Sequence, residues 1–293
     1  MLRKVLRYLV LPLAVIVAVV FGQAYVRNVE LRADLPPVAG GGGGASVLIV
    51  LSAAQTLTLR EGGAHPTGFF LNELSEPLAH LLAAGYAVEF ASPGGRPPRV
   101  DAHSVEFLVG DARVQALALI AAQPLDSPHA LEDLSEAHLE RFIGVFVPGG
   151  HAPMQDLHAD PALGRVLAHF HSSGKPTAAL CHGPAALLSA PIVDGQWTYA
   201  GYRMTGFPRY TERALELFGV IDGHVPFYLD EALTDAGAVY TTTFPPIIPR
   251  VIRDRELVTG QDPYAAERLG AKFVHMLRLY QQLGGNVDWS APA

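Results

Sequence analysis

The chain has a single cysteine, Cys181, among its 293 residues. One thiol cannot form an internal disulfide, and it rules out a zinc site built from several cysteines. Basic charge is also sparse: 21 Lys and Arg stand against 28 Asp and Glu, a net charge of −7, and nowhere do the basic residues form a block or stripe. The composition therefore predicts no nucleic-acid partner. Twelve histidines are present, but without carboxylates at ligand-like spacing. No metal and no cofactor are expected from the pattern.

What is abundant is apolar. Hydrophobic residues make up 49% of the chain, and the first cluster of them lies at the amino end. Arg3, Lys4 and Arg7 precede a stretch from Tyr8 to Val26, 19 residues with no charge. That length approaches the roughly 20 residues needed to span a bilayer. The basic flank favours an amino end held in the cytoplasm, which would place everything downstream on the extracytoplasmic side. A cleaved signal competes with this reading, since Gly22-Gln23-Ala24 offers small residues for cleavage. The length of the uncharged stretch favours an uncleaved anchor over residues 1–27. Residues 28–45 follow as a tether with Pro36-Pro37 and five glycines, Gly40 to Gly44, which gain too little on ordering to form structure. A folded domain is expected over 46–282, with a tail at 283–293.

Within it, short apolar runs alternate with helical spacing. SVLIVL from Ser46, YAVEFA from Tyr86, GVFV from Gly144 and TAAL from Thr177 read as strands buried on both faces. Helices are expected at Asn72–Ala84, Leu131–Arg141, Pro161–Ser172 and Gly183–Ser189, with Gly85 and Gly174 as stops. Later strands are expected at Ala238–Thr242, Val251–Arg253 and Leu257–Thr259, the last two joined by a turn at Asp254-Arg255. The alternation predicts one α/β domain with a mostly parallel central sheet. Ligands in such sheets bind beyond the carboxyl ends of the strands, which puts the Gly149-Gly150 turn and Cys181 on one edge.

A lone cysteine is ordinarily inert core, but the context of Cys181 argues otherwise. Thr177-Ala178-Ala179-Leu180-Cys181-His182-Gly183-Pro184 takes a buried strand into a helix with almost no loop. Such a turn exposes the side chain at its apex, and Ala179 and Gly183 relieve the crowding. The amino end of the helix is expected to favour thiolate and to offer N–H groups to an oxyanion. His182 follows directly as a candidate general base. Glu73 falls in a first helical turn, where the residues by themselves give it the ordinary role of a dipole partner.

Five ordered segments resemble the ThiJ/PfpI family of the class I glutamine amidotransferase-like superfamily. They are Gly68 to Gly95, Val147-Pro148-Gly149-Gly150-His151, Ala179 to Pro184, Met204-Thr205-Gly206-Phe207, and Leu257 to Pro263. The heat-shock chaperone and glyoxalase III branch is the most similar. The resemblance implies a flavodoxin-like three-layer sandwich and a Cys–His–Glu site. In it Cys181 is the nucleophile, His182 its neighbour and Glu73 an acid held close to the thiol. It also implies a further acid orienting the histidine, with Glu212 in the corresponding region, and an oxyanion-side turn at Gly150.

The function implied is a glutathione-independent glyoxalase, a lyase turning methylglyoxal into lactate. A holding chaperone, a redox sensor acting through Cys181 oxidation, and an amidase or peptidase are the alternatives. The expected partners are a small carbonyl substrate, the membrane through the amino-terminal helix, and a second copy of the chain as a homodimer. Arg60–Pro66 and Pro97–Ser104 fall where the family varies around its pocket, so they bear on substrate choice.

Overall fold

In the computed structural model, residues 44–290 are described. The expected span at 1–27 and most of the tether lie outside them. Among the described residues, no helix is long and apolar enough to cross a membrane.

The core is a seven-stranded sheet. Its strands in chain order are β1 (Ser46–Val50), β2 (Ala87–Ser92), β3 (His129–Ala130), β4 (Phe142–Val147), β5 (Thr177–Leu180), β6 (Val251–Asp254) and β7 (Leu257–Gly260). Across the sheet they run β6-β7-β5-β4-β1-β2-β3. All pairs are parallel except β6 with β7, a hairpin that turns at Arg255-Glu256, one residue later than expected, because Asp254 still pairs with Leu257. The apolar runs occupy the middle, and β5 and β7 are buried at every position. Strands in this position must be apolar on both faces because helices cover both sides.

The principal helices are α1 (Leu71–Ala83), α2 (Gly110–Ala121), α3 (Pro161–Ser172), α4 (Arg209–Leu217) and α5 (Ala266–Gln282). α1 and α5 pack together against the sheet. Gly144 marks the fit: a Cβ there would stand 2.5 Å from Leu277 Cδ2 and 3.2 Å from the Phe273 ring, so α5 rests directly on β4. On α3, Leu163, Val166, Leu167 and Phe170 are all fully buried. The mostly parallel α/β architecture anticipated from the sequence is the one observed.

Some local expectations are corrected. Leu131–Arg141 is not one helix but a 3-10 turn at Leu131–Asp133 and a short helix at Glu136–Leu139. Leu134 is extended between them, and Ser135 starts the second piece by accepting the His138 N–H. Gly183–Ser189 is a 3-10 helix rather than an α-helix. The strand expected at Ala238–Thr242 shortens to Val239–Tyr240 and pairs with Arg203–Met204 in a separate two-stranded sheet.

Candidate active site

Cys181 directly follows β5 at φ +60°, a left-handed conformation that disfavours residues with a Cβ. The neighbouring chain holds it there: its N–H donates to the Gly260 carbonyl at 3.0 Å, and its carbonyl accepts the Phe207 N–H at 2.8 Å. Both partners belong to motifs that lie far apart in sequence. The strained apex is therefore fixed by β7 on one side and by the Thr205-Gly206-Phe207 segment on the other.

Glu73 sits in the first turn of α1 and is fully buried. Its Oε2 accepts the Gly149 N–H at 3.0 Å. A Cβ on Gly149 would lie 2.6 Å from that oxygen and 2.8 Å from the Cys181 Cβ, so the carboxyl and the thiol meet across this glycine. Glu73 thus turns inward to the thiol, and the dipole-partner role suggested by its position is not the one it takes. Burial raises its pKa well above the carboxylate range, outweighing the hydrogen bonds from the thiol and from Gly149.

Burial also raises the Cys181 thiol, and the Glu73 carboxyl raises it further. This corrects the expectation of a thiolate favoured by a helix end. The helix is a seven-residue 3-10 segment, and a closed pocket shared with an acid outweighs its dipole. The pair resists carrying two negative charges, so at neutral pH it keeps at least one proton.

His182 is 1% exposed and lies between two rings. Phe207 stacks on it with centroids 4.5 Å apart, and His151 lies at 4.1 Å. Its Nδ1 is 3.5 Å from Cys181 Sγ. Its Nε2 is 2.6 Å from Glu212 Oε2, while the other oxygen of Glu212 is 2.8 Å from His151 Nε2. One carboxylate therefore joins two imidazoles.

Burial would raise Glu212, but the charges and hydrogen bonds of His151 and His182 hold it far below the usual carboxylate range. Burial would lower His151, but Glu212 overrides it and raises it. His182 is pushed down to about 4 by burial and by the neighbouring His151 charge, with Glu212 opposing. The trio thus pairs an anionic Glu212 with a neutral His182, while Glu212 favours the protonated form of His151. An ionised carboxylate only accepts, so His182 carries its proton on Nε2 and turns the Nδ1 lone pair to the thiol.

The three glycines differ in what they offer. Gly150, at φ +88°, lines the cavity, and a Cβ on it would come within 2.1 Å of the Gly68 carbonyl. The Gly149 N–H is already given to Glu73, which takes it from an oxyanion. Gly183 packs against β4, where a Cβ would stand 2.4 Å from the Val147 carbonyl.

The cavity above the sulfur measures about 250 Å³. His65, Asp101 and His103 line it, and they belong to the two segments marked as variable in sequence. His151 and Asp262 were not singled out as site residues. His151 was visible only inside the Pro148-Gly149-Gly150-His151 segment. Asp262 is buried, raised to about 7 chiefly by burial, and adds its negative field to both Glu73 and Cys181. Only the LVTGQDP segment hinted at it.

His151, His182 and Glu212 bring three metal-competent donor atoms within 4.8 Å of one another. Their separations of 2.6 and 2.8 Å are those of direct hydrogen bonds. They are shorter than two donors sharing an ion at about 2.0–2.1 Å would normally allow, so as arranged the trio fits a proton network.

The chain is similar to several known proteins. A Bos taurus protein described as glutamine amidotransferase-like class 1 domain-containing protein 1 is 34% identical over 184 residues, covering 62% of this chain and 76% of its own. Protein/nucleic acid deglycase HchA of Staphylococcus aureus is 28% identical over 227 residues, covering 76% of each. The crystal structure of glyoxalase III from Candida albicans superimposes with a TM-score of 0.66 at 22% identity, over 79% of this chain and 97% of its own, and shows the shared fold. Residues 66–276 match the model of the DJ-1/PfpI family, and the chain belongs to that family.

Proposed function

We propose that the chain is a cysteine-dependent enzyme acting on small reactive carbonyls, and that it converts methylglyoxal to lactate without glutathione. The observation that carries this reading is the pairing of Glu73 with Cys181 beside a neutral His182, beneath a small, mostly apolar cavity of about 250 Å³. That volume suits a small molecule and leaves no groove for a peptide chain, which argues against the peptidase reading. The deglycase relative, whose name denotes removal of carbonyl adducts, supports the same substrate class.

The chemistry is redox-neutral overall. Cys181 Sγ bonds to the aldehyde carbon, the carbonyl electron pair moves to oxygen, and the thiol proton passes through His182 Nδ1 to that oxygen. The resulting cation on His182 is stabilised by Glu212. The proton on the former aldehyde carbon then moves to the adjacent carbon by way of Glu73 or His182, and the hydroxyl proton passes from the first oxygen to the second, so the first carbon is oxidised to a thioester and the second reduced to an alcohol. Water adds to the thioester, the S–C bond breaks, lactate leaves and the proton returns to sulfur.

The test is lactate formation from methylglyoxal by the purified full-length chain, with Cys181→Ser and Glu73→Gln beside it. Loss in both variants is expected, and full activity in Cys181→Ser would refute the mechanism. A second reading, a holding chaperone, draws on Leu217 and Phe218, which are 80% and 77% exposed. It requires suppression of client aggregation that survives Cys181→Ser. The basic start and long uncharged stretch of residues 1–27 support an extracytoplasmic, tethered placement, which protease access to intact cells would test.

A further inference from the structure

The walls of the cavity carry information that the reacting groups do not. Away from Cys181 and the imidazoles, they are formed mainly by Phe70, Phe107, Phe207, Leu215, Val220 and Ile221, with the Asp101 carboxyl the one acidic side chain among them. No Lys or Arg lines the space. The His151 imidazole is already closed on Glu212 at 2.8 Å, and His103 stands 3.6 Å from Asp101. His65, also buried in the wall, is held down chiefly by burial and then by His151 and His103, which favours its neutral form. A substrate with a phosphate or carboxylate would meet no Lys or Arg there, and the His151 charge is already paired with Glu212.

Size points the same way. Methylglyoxal has five heavy atoms, roughly the space of three waters or about 90 Å³, and the cavity holds about 250 Å³. Once the aldehyde carbon lies on Sγ and its oxygen beside His182, the substituent on the neighbouring carbon has the apolar end left to fill.

We propose, resting on the carbonyl reading above, that the site selects neutral 2-oxoaldehydes with a branched or aromatic substituent. Phe107, with Val220 and Ile221 after α4, sets that selectivity. Ile221 is 1% exposed and packs as wall, while Val220 is 47% exposed and stands at the mouth. Each methylene placed against an apolar wall is worth about tenfold or more in kcat/KM.

The test compares isopropylglyoxal with methylglyoxal on the full-length chain, and uses Val220→Lys to put a charge at the mouth without disturbing a buried position. A kcat/KM at least about tenfold higher for isopropylglyoxal is expected, with the ratio falling in Val220→Lys. Equal or lower values for isopropylglyoxal overturn the proposal.

A second readout needs no turnover: protection of Cys181 from iodoacetamide by benzamide, isobutyramide and acetamide, with a melting curve for each protein. The two larger amides should protect at concentrations at least about tenfold below acetamide. Equal protection overturns the selectivity even if the carbonyl reading holds. Graded protection with no turnover of either aldehyde would uphold the selectivity and refute the carbonyl reading.

Discussion

His182 donates its Nε2–H to Glu212 at 2.6 Å, and this contact decides which face of the imidazole meets the thiol. The tautomer is set from behind. The same carboxylate accepts from His151, so both of its oxygens are committed.

Replacing Glu212 with Gln keeps the shape but provides one acceptor and one donor where two acceptors are needed. One histidine must then reverse its tautomer. If it is His182, Nδ1–H faces the sulfur and no base remains. The expected loss in kcat/KM is about 10²- to 10⁴-fold, as for other carboxylate–histidine pairs that fix a tautomer. Steady-state lactate production measures it, and activity within a factor of three of the parent would contradict the assignment.

Activity should persist to unusually low pH. A free imidazole is half protonated at about 6.5, whereas His182 is held at about 4 by burial and by the charge on His151. The active form is neutral, so the acid limb of kcat/KM is expected near pH 4. His151→Phe removes the opposing cation, and the limb should move up towards 6.5. A limb that stays in place in this variant would show that His151 does not act on His182.

Alkylation of Cys181 should be slow at neutral pH and accelerate in the alkaline range, because burial and Glu73 both raise the thiol. Glu73→Gln removes the acidic neighbour but keeps an acceptor for the Gly149 N–H. The midpoint of the iodoacetamide rate–pH curve should shift downward. An upward shift would mean that Glu73 stabilises the thiolate instead.

Gly149→Ala probes the contact between acid and sulfur. Its Cβ would fall 2.6 Å from both Glu73 Oε2 and the Leu180 carbonyl. Neither the strand nor the buried carboxyl has space to retreat. A loss of about 1–3 kcal/mol in unfolding free energy is expected, as for overpacked cores. It should be accompanied by altered Cys181 alkylation. Gly144→Ala is overpacked at 2.5 Å from Leu277 and serves as a control, lowering stability without changing the thiol.

Much of this was legible in the sequence, for definable reasons. The strands announced themselves because residues buried on both faces must be apolar, as TAAL before Cys181 shows. The apex was legible because few segments pass from strand to helix through Cys-His-Gly-Pro without a loop. Glu73 was not legible from its own position: a first-turn glutamate normally faces water, and only the family resemblance turned it inward. Glu212 was only loosely placed, since 30 residues separate it from His182 and no local pattern links them. The state of the thiol was misread because a helix end is visible in sequence, while closure of a pocket over it is not.

The left-handed backbone at Cys181 sets selection for folding against selection for chemistry. Glycine relaxes at such a position, so an inert Cys181→Gly protein is expected to be the sturdier one. A lineage released from the need for catalysis would lose this sulfur early and gain robustness by doing so. Where the cysteine is kept at a φ of +60°, its retention is itself a record of use.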